Sequence, residues 1–242
     1  MPRPPRRIEA GTVYHVLNRG NGRRVLFGKE ADFVAFRQLL ADAAERFDVD
    51  LLSYCLMGNH WHLLLRPRTD SALPRLMGWL GTTHARRRHA HLGDAPGHLY
   101  QGRYKSFPVQ DDEHFLIVAR YIEANPLRAK LVRRAQDWRW SSVRPLADGP
   151  KIAAWPVHRP SGWLRRVNGE MTEAELSALR TSIARGRPFG SAAWTRATAA
   201  RLRLASTLAP RGRPRKPLKD LSTRQRRRRK AEERRKGGRI GG

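Results

Sequence analysis

The sequence predicts an α+β fold, a central antiparallel sheet with helices packed on one face. Three observations carry this. Runs of period-two hydrophobicity alternate with runs of helical period, in the order strand, helix, strand, strand, helix, strand, helix. The two middle strands are separated only by Gly58 and Asn59, a hairpin connection that makes them antiparallel neighbours. The helical runs each concentrate their apolar residues on one side, as packing on a sheet requires.

The first strand is "GTVYHVLNRG", where Val13, His15 and Leu17 alternate with Tyr14, Val16 and Asn18 and Gly20 ends the run. "KEADFVAFRQLLADAAERFD" follows as a helix, with Phe33, Phe36, Leu40, Ala43 and Phe47 on one face. "DLLSYCLM" and "HWHLLLR" form the hairpin. Asp70 or Ser71 can cap the next helix, which carries Leu73, Leu76, Met77 and Leu80 on one side. Residues 86–98, rich in Arg, His, Gly and Pro, read as a basic loop. "YKSFPVQ" reads as a strand, and Pro108 places it at a sheet edge. "DDEHFLIVARYIEANP" opens with Asp residues suited to a helix N-terminus and stops before Pro126.

These elements fill a domain over residues 9–146. A helical C-terminal extension is expected over 147–205. It opens a helix with a capping box, Thr172 with Glu175, turns at "GRPFGS", and adds a second helix to Leu204. This pair reads equally as a DNA-binding helix-turn-helix and as a packing appendage. Residues 206–242 are expected to be a disordered basic tail, since they hold too few apolar residues to build a core.

The charge narrows the partner. The 242 residues carry a net charge of +28, and the last 42 hold 17 Lys/Arg against three Asp/Glu, half of that surplus. Such a balance points to a polyanion, above all nucleic acid. The single cysteine, Cys55, excludes an internal disulfide framework and fits a reducing compartment. No apolar run is long enough to span a bilayer, and the basic N-terminus lacks the apolar stretch of a secretory signal. The expectation is a cytoplasmic, nucleoid-associated protein with no membrane partner.

The chemistry-bearing stretch is "MGNHWHLLLRP". Strand alternation places His60 and His62 on one side and Trp61, Leu63 and Leu65 on the other. Two imidazoles on one strand face, roughly 7 Å apart at the backbone, can share a divalent metal. The helix at 111–125 offers the remaining groups. Tyr121 and Asn125 stand four residues apart on one helical face, opposite the apolar Phe115, Ala119 and Ile122. Asn125 can give an oxygen ligand, and Tyr121 a nucleophilic oxygen. Tyr104, in "GRYKS", is the rival nucleophile, but it lacks the one-turn relation to a ligand.

"MGNHWHLLL" followed by "RYIEANPLRAKLV", with "YHVLNRGN", "GRYKSFPV" and "WRWSSV" around them, resembles the Y1 HUH transposases of the IS200 type. The similarity is greatest to the branch of REP-associated tyrosine transposases, and it covers about residues 9 to 146. It implies a sheet related to the ferredoxin-like plan, the HUH nuclease fold. It implies that Tyr121 attacks a DNA phosphodiester, forming a 5′-phosphotyrosine link and freeing a 3′-OH. His60 and His62 would hold the metal, with Asn125 as third ligand where many IS200-type enzymes carry Gln. Imidazoles suit Zn²⁺ or Mn²⁺, while amide and phosphate oxygens favour harder ions, so Mg²⁺ or Mn²⁺ is expected.

The substrate expected is single-stranded or hairpin DNA, for a monomer or homodimer. Arg19, Arg103 and Lys105 can meet phosphates, and Tyr14, Tyr104 and Trp138 can offer planes for base stacking. In the tail, "PRGRPRK" looks like an AT-hook, whose Arg211 and Arg213 would enter a narrow minor groove. A non-cleaving DNA-binding regulator of the same fold, and a Zn²⁺ hydrolase using water, are the competing functions.

Overall fold

A computed structural model describes residues 7–92, 97–144 and 149–209 of the chain. The tail with Arg211 and Arg213 lies outside these residues. Residues up to Leu208 make one compact unit, so the extension after 149 belongs to the same body as the sheet.

Four strands build the sheet: β1 (Val13–Arg19), β2 (Val49–Met57), β3 (His60–Pro67) and β4 (Lys105–Val109). Helix α1 (Glu30–Arg46) lies between β1 and β2, and α2 (Ala72–Leu92) between β3 and β4. The spatial order is β2-β3-β1-β4 with every pairing antiparallel, which is the β-α-β-β-α-β ferredoxin-like arrangement. The hairpin register pairs Met57 with His60. Helix α2 is longer than expected. Residues 86–92 continue it, because Arg, His and Ala sustain a helix and no breaker intervenes.

Helices cover both faces of the sheet, where one was expected. On the first face Tyr14, Val16, Leu51, Tyr54, Leu56, Trp61, Leu63 and Leu65 pack with α1 and α2 side chains such as Phe36, Leu40, Leu73 and Leu80. On the second, Val13, Leu52, Cys55, Leu64 and Phe107 pack with Phe115, Val118, Ala119 and Ile122 of α3 (Glu113–Glu123). A register irregularity between Leu51 and Ser53 lets β2 turn Leu52 to this second face. Cys55 is fully buried there, its Sγ 3.8 Å from Met57 Sδ.

Helix α3 starts where Asp112 accepts a hydrogen bond from His114 N at 2.8 Å. It stops at Glu123, and a separate single turn, α4 (Asn125–Arg128), restarts with Pro126 in its first turn. A buried carboxylate fixes the roll of α3. Glu123 Oε1 accepts from Ser142 Oγ at 2.9 Å and Ser53 Oγ at 3.3 Å, and Oε2 accepts from Trp163 Nε1 at 2.7 Å. Burial pushes the pKa of this carboxyl up. With Glu123 turned inward, Tyr121, two positions earlier on the helix, is turned toward β3.

Both sheet edges are covered. Residues 140–142 hydrogen-bond to Tyr54 and Leu56 of β2, and Phe189 pairs with Val109 of β4, the strand with Pro108. The extension forms α5 (Trp163–Asn168), α6 (Glu173–Arg185) and α7 (Ala192–Arg201). The expected capping box of Thr172 and Glu175 is present at α6. The turn joining α6 to α7 carries Phe189, so this connection is spent on the sheet edge.

Candidate active site

His60 and His62 emerge from β3 on the α3 face with ring centroids 5.1 Å apart. Alternation separates them from Trp61, which is fully buried on the other face and donates its Nε1–H to Tyr100 Oη at 3.1 Å. Tyr121 arrives from α3 with its ring centroid 5.9 Å from that of His62. A cleft of about 600 Å³ is lined by His60, His62, Tyr121 and Asn125 together with Arg19, Arg103 and Lys105. The candidate nucleophile Tyr121, the three candidate ligands and the three candidate phosphate contacts therefore meet in one place. Arg19, Arg103 and Lys105 are exposed, His60 and Tyr121 are half-buried, and His62 and Asn125 are buried.

Burial, reinforced by the charges of Arg19 and Arg128, lowers the pKa of His60 to about 4. Burial, with His15 and His60 as neighbours, holds His62 well below the usual imidazole value. Both rings are thus neutral at neutral pH, the form that ligates a metal. Their Nδ1 atoms are already engaged, His60 with Asn59 Oδ1 at 2.7 Å and His62 with His15 Nε2 at 2.9 Å. The Nε2 atoms are left for a cation. Such backing on the remote nitrogen is how ligating imidazoles are usually held.

Among the described residues no group of three His, Cys, Asp or Glu side chains could hold a metal ion by itself, and the cleft lined by the two imidazoles also holds the Asn125 amide. Asn125 Oδ1 accepts one hydrogen bond, from Arg128 Nη2 at 3.0 Å, and an amide oxygen has a second lone pair. Two neutral imidazoles and one amide oxygen fit a divalent cation that also takes oxygen from water or phosphate.

Two residues of the site were not anticipated. His15, on β1, stacks on His62 at 5.1 Å and meets the Tyr121 ring edge-on at 6.3 Å. Its place in the Val13, His15, Leu17 alternation was the available signal. Arg128 lies with its guanidinium carbon 4.0 Å from the centre of the Tyr121 ring and donates from Nη1 to Tyr121 O at 2.9 Å. Seven residues separate it from Tyr121, two turns along one face, but Pro126 between them reads as a stop.

Other candidates lie elsewhere. Tyr104 packs against the Trp61 core and does not line the cleft. Tyr14 is buried in that core with its hydroxyl accepting from Glu9 N, so it offers no stacking plane. Trp138 is part-buried and donates to Leu56 O at 2.9 Å.

No curated protein matches the chain. Among solved structures, a REP-associated tyrosine transposase bound to a REP hairpin is similar at 15% identity, over 64% of this chain and 99% of that one, with a TM-score of 0.44. A candidate transposase from Deinococcus radiodurans R1 is similar at 20% identity, over 54% and 92%, with a TM-score of 0.36. The described helices include none long and apolar enough to cross a membrane. The model of the IS200-like transposase family matches residues 10–125, the stretch that carries both histidines, Tyr121 and Asn125. Over this stretch, just under half of the chain, it is similar to the IS200-like transposase family.

Proposed function

We propose that this protein is a transposase, a metal-dependent single-strand DNA endonuclease and strand transferase acting on hairpin or repeat DNA, with Tyr121 as the nucleophile. The observation that carries the reading is the cleft in which Tyr121 faces the His60–His62 pair amid Arg19, Arg103 and Lys105. All these groups come from one chain, so the reading needs no second protomer.

The Tyr121 oxygen forms a bond to phosphorus as the P–O3′ bond breaks. The phenol gives up one proton and the departing 3′ oxygen gains one, so the step is proton-neutral overall. The bond energy stays in the 5′-phosphotyrosine link, and a later 3′-OH can reverse the exchange without a nucleotide cofactor. His60, His62 and Asn125 would hold a Mg²⁺ or Mn²⁺ ion, which when bound polarises the scissile phosphate. Arg128 holds the Tyr121 ring from its face and lends positive charge to the oxygen as it loses its proton. Arg19, Arg103 and Lys105 supply the charge that draws a strand across the cleft. In the tail, Arg211 and Arg213 add duplex affinity.

The test is incubation with labelled single-stranded hairpin DNA and Mn²⁺, followed by a denaturing gel. We expect a protein-linked band that Tyr121→Phe abolishes and Tyr104→Phe retains. Cleavage without that band would indicate a water-using hydrolase, and binding without cleavage a regulator. A band that survives Tyr121→Phe and disappears in Tyr104→Phe would overturn the nucleophile assignment.

A further inference from the structure

We infer that His15 is the positioning residue of His62, accepting the Nδ1 proton of that ring so that the Nε2 lone pair faces the cleft. This rests on the reading of His60 and His62 as the cation site and assigns a role to a residue outside the ligand set.

His15 sits on the central strand β1, beside β3, with no exposed surface. Its ring is nearly parallel to that of His62, 12° between planes, and meets Phe107 edge-on at 4.9 Å. Nε2 of His15 and Nδ1 of His62 are 2.9 Å apart, so one of them carries the shared proton. Both rings are buried, and they are joined nitrogen to nitrogen.

Such a pair has two arrangements. If His15 donates from Nε2, the proton of His62 sits on its own Nε2, and that nitrogen cannot ligate. If His62 donates from Nδ1, its Nε2 lone pair is free and the proton of His15 sits on Nδ1. Each ring carries one proton in either case, so the choice changes no net charge. Only the second arrangement is compatible with a ligand at His62.

The first histidine has no such choice. Its Nδ1 faces Asn59 Oδ1, an acceptor only, so His60 is fixed by the turn residue next to it. His62 has nothing comparable in its own segment and depends on a residue 47 positions away. The cost of this device is visible. Nδ1 of His15 is buried with no hydrogen-bond partner among the described residues. A leucine or phenylalanine at the same place would fill the core without an unsatisfied nitrogen. A role toward His62 explains why an imidazole stands there instead.

The test uses the full-length protein without DNA. Mn²⁺ affinity is measured by titration calorimetry for the unsubstituted chain, His60→Ala, His15→Phe and His15→Gln. We expect His15→Phe to weaken Mn²⁺ binding about 10–100-fold. We expect His15→Gln, whose amide oxygen can accept the same bond, to recover most of it. Long-range ¹H–¹⁵N ring spectra of the unsubstituted protein with Mg²⁺ should place the protons of both His62 and His15 on Nδ1. These spectra need no variant to fold. Wild-type affinity in His15→Phe, a His15→Gln no tighter than His15→Phe, or a His62 proton on Nε2 with Mg²⁺ bound would each overturn the inference. If His60→Ala also leaves Mn²⁺ binding unchanged, the cation site itself falls. If His60→Ala abolishes binding while His15→Phe does not, only the role of His15 falls.

Discussion

The two faces of the sheet are made by alternate residues of the same strands, and they carry different loads. Toward α1 and α2, β3 presents Trp61, Leu63 and Leu65, and every neighbour is a close-packed side chain. Toward α3 the same strand presents His60, His62 and Leu64, and only Leu64 joins an apolar core. One face is packing throughout, while the other packs at one end and opens into a polar cleft at the other. The imidazoles are neutral because they are buried beside that second core, and they are reachable because they line the cleft where it ends. A rigid first face makes this possible, since it holds β1 and β3 in register whatever the second face costs.

The packed face carries the largest expected effect. Trp61→Ala should cost about 3–5 kcal/mol of stability by urea unfolding, with Tyr100 losing its donor. Mn²⁺ affinity of the folded protein should hardly change. A large loss of affinity at preserved stability would mean the faces are not separable. Next in size is Arg128→Gln, which removes the cation over Tyr121. The rate of covalent adduct formation should fall about 10–100-fold, equivalent to about 1.4–2.7 kcal/mol, with the melting temperature little altered.

The third effect is pH-dependent. Burial lowers His60 and His84 to about 4, His15 to about 3, and His62 well below 6.5. As pH falls below about 6.5 the unfolded chain takes up protons at these sites before the folded one does. Stability is therefore complete above that value and is lost as pH falls toward 4. Each group contributes up to about 1.4 kcal/mol per pH unit within its window. His84 belongs to the first face, where Nδ1 meets Tyr100 Oη at 2.7 Å. His84→Gln should therefore flatten the profile by one group without touching the cleft. Flat melting temperatures from pH 7 to 4.5 in metal-free protein would contradict neutral buried rings on either face.

Local pattern made much of this legible. Period-two alternation placed the histidines on one side of β3 and Trp61 on the other, and the hairpin at Gly58 and Asn59 paired the strands in the observed register. The spacing of Tyr121 and Asn125 placed them together, although Asn125 turned out to begin a new turn. What stayed hidden depends on contacts remote in sequence. The role of His15 depends on strand register with β3, which no local window contains. Glu123 finds Ser53 70 residues away and Trp163 40 residues away. Arg128 reaches back across Pro126, where the pattern reads as a stop. The length of α2 was missed because a run of Arg and His has loop-like composition but ordinary helix propensity.

Cys55 is the chain's single thiol and stands fully buried on β2, paired with His62 across the hairpin. Burial pushes its pKa up, so in the closed sheet it is neither accessible nor ionised. Alkylating reagents can reach it only when β2 or the α3 side chains packed on it come away from the sheet. The chain thus carries its own clock for sheet opening, read by mass spectrometry from the time course of a single modification, with no label added.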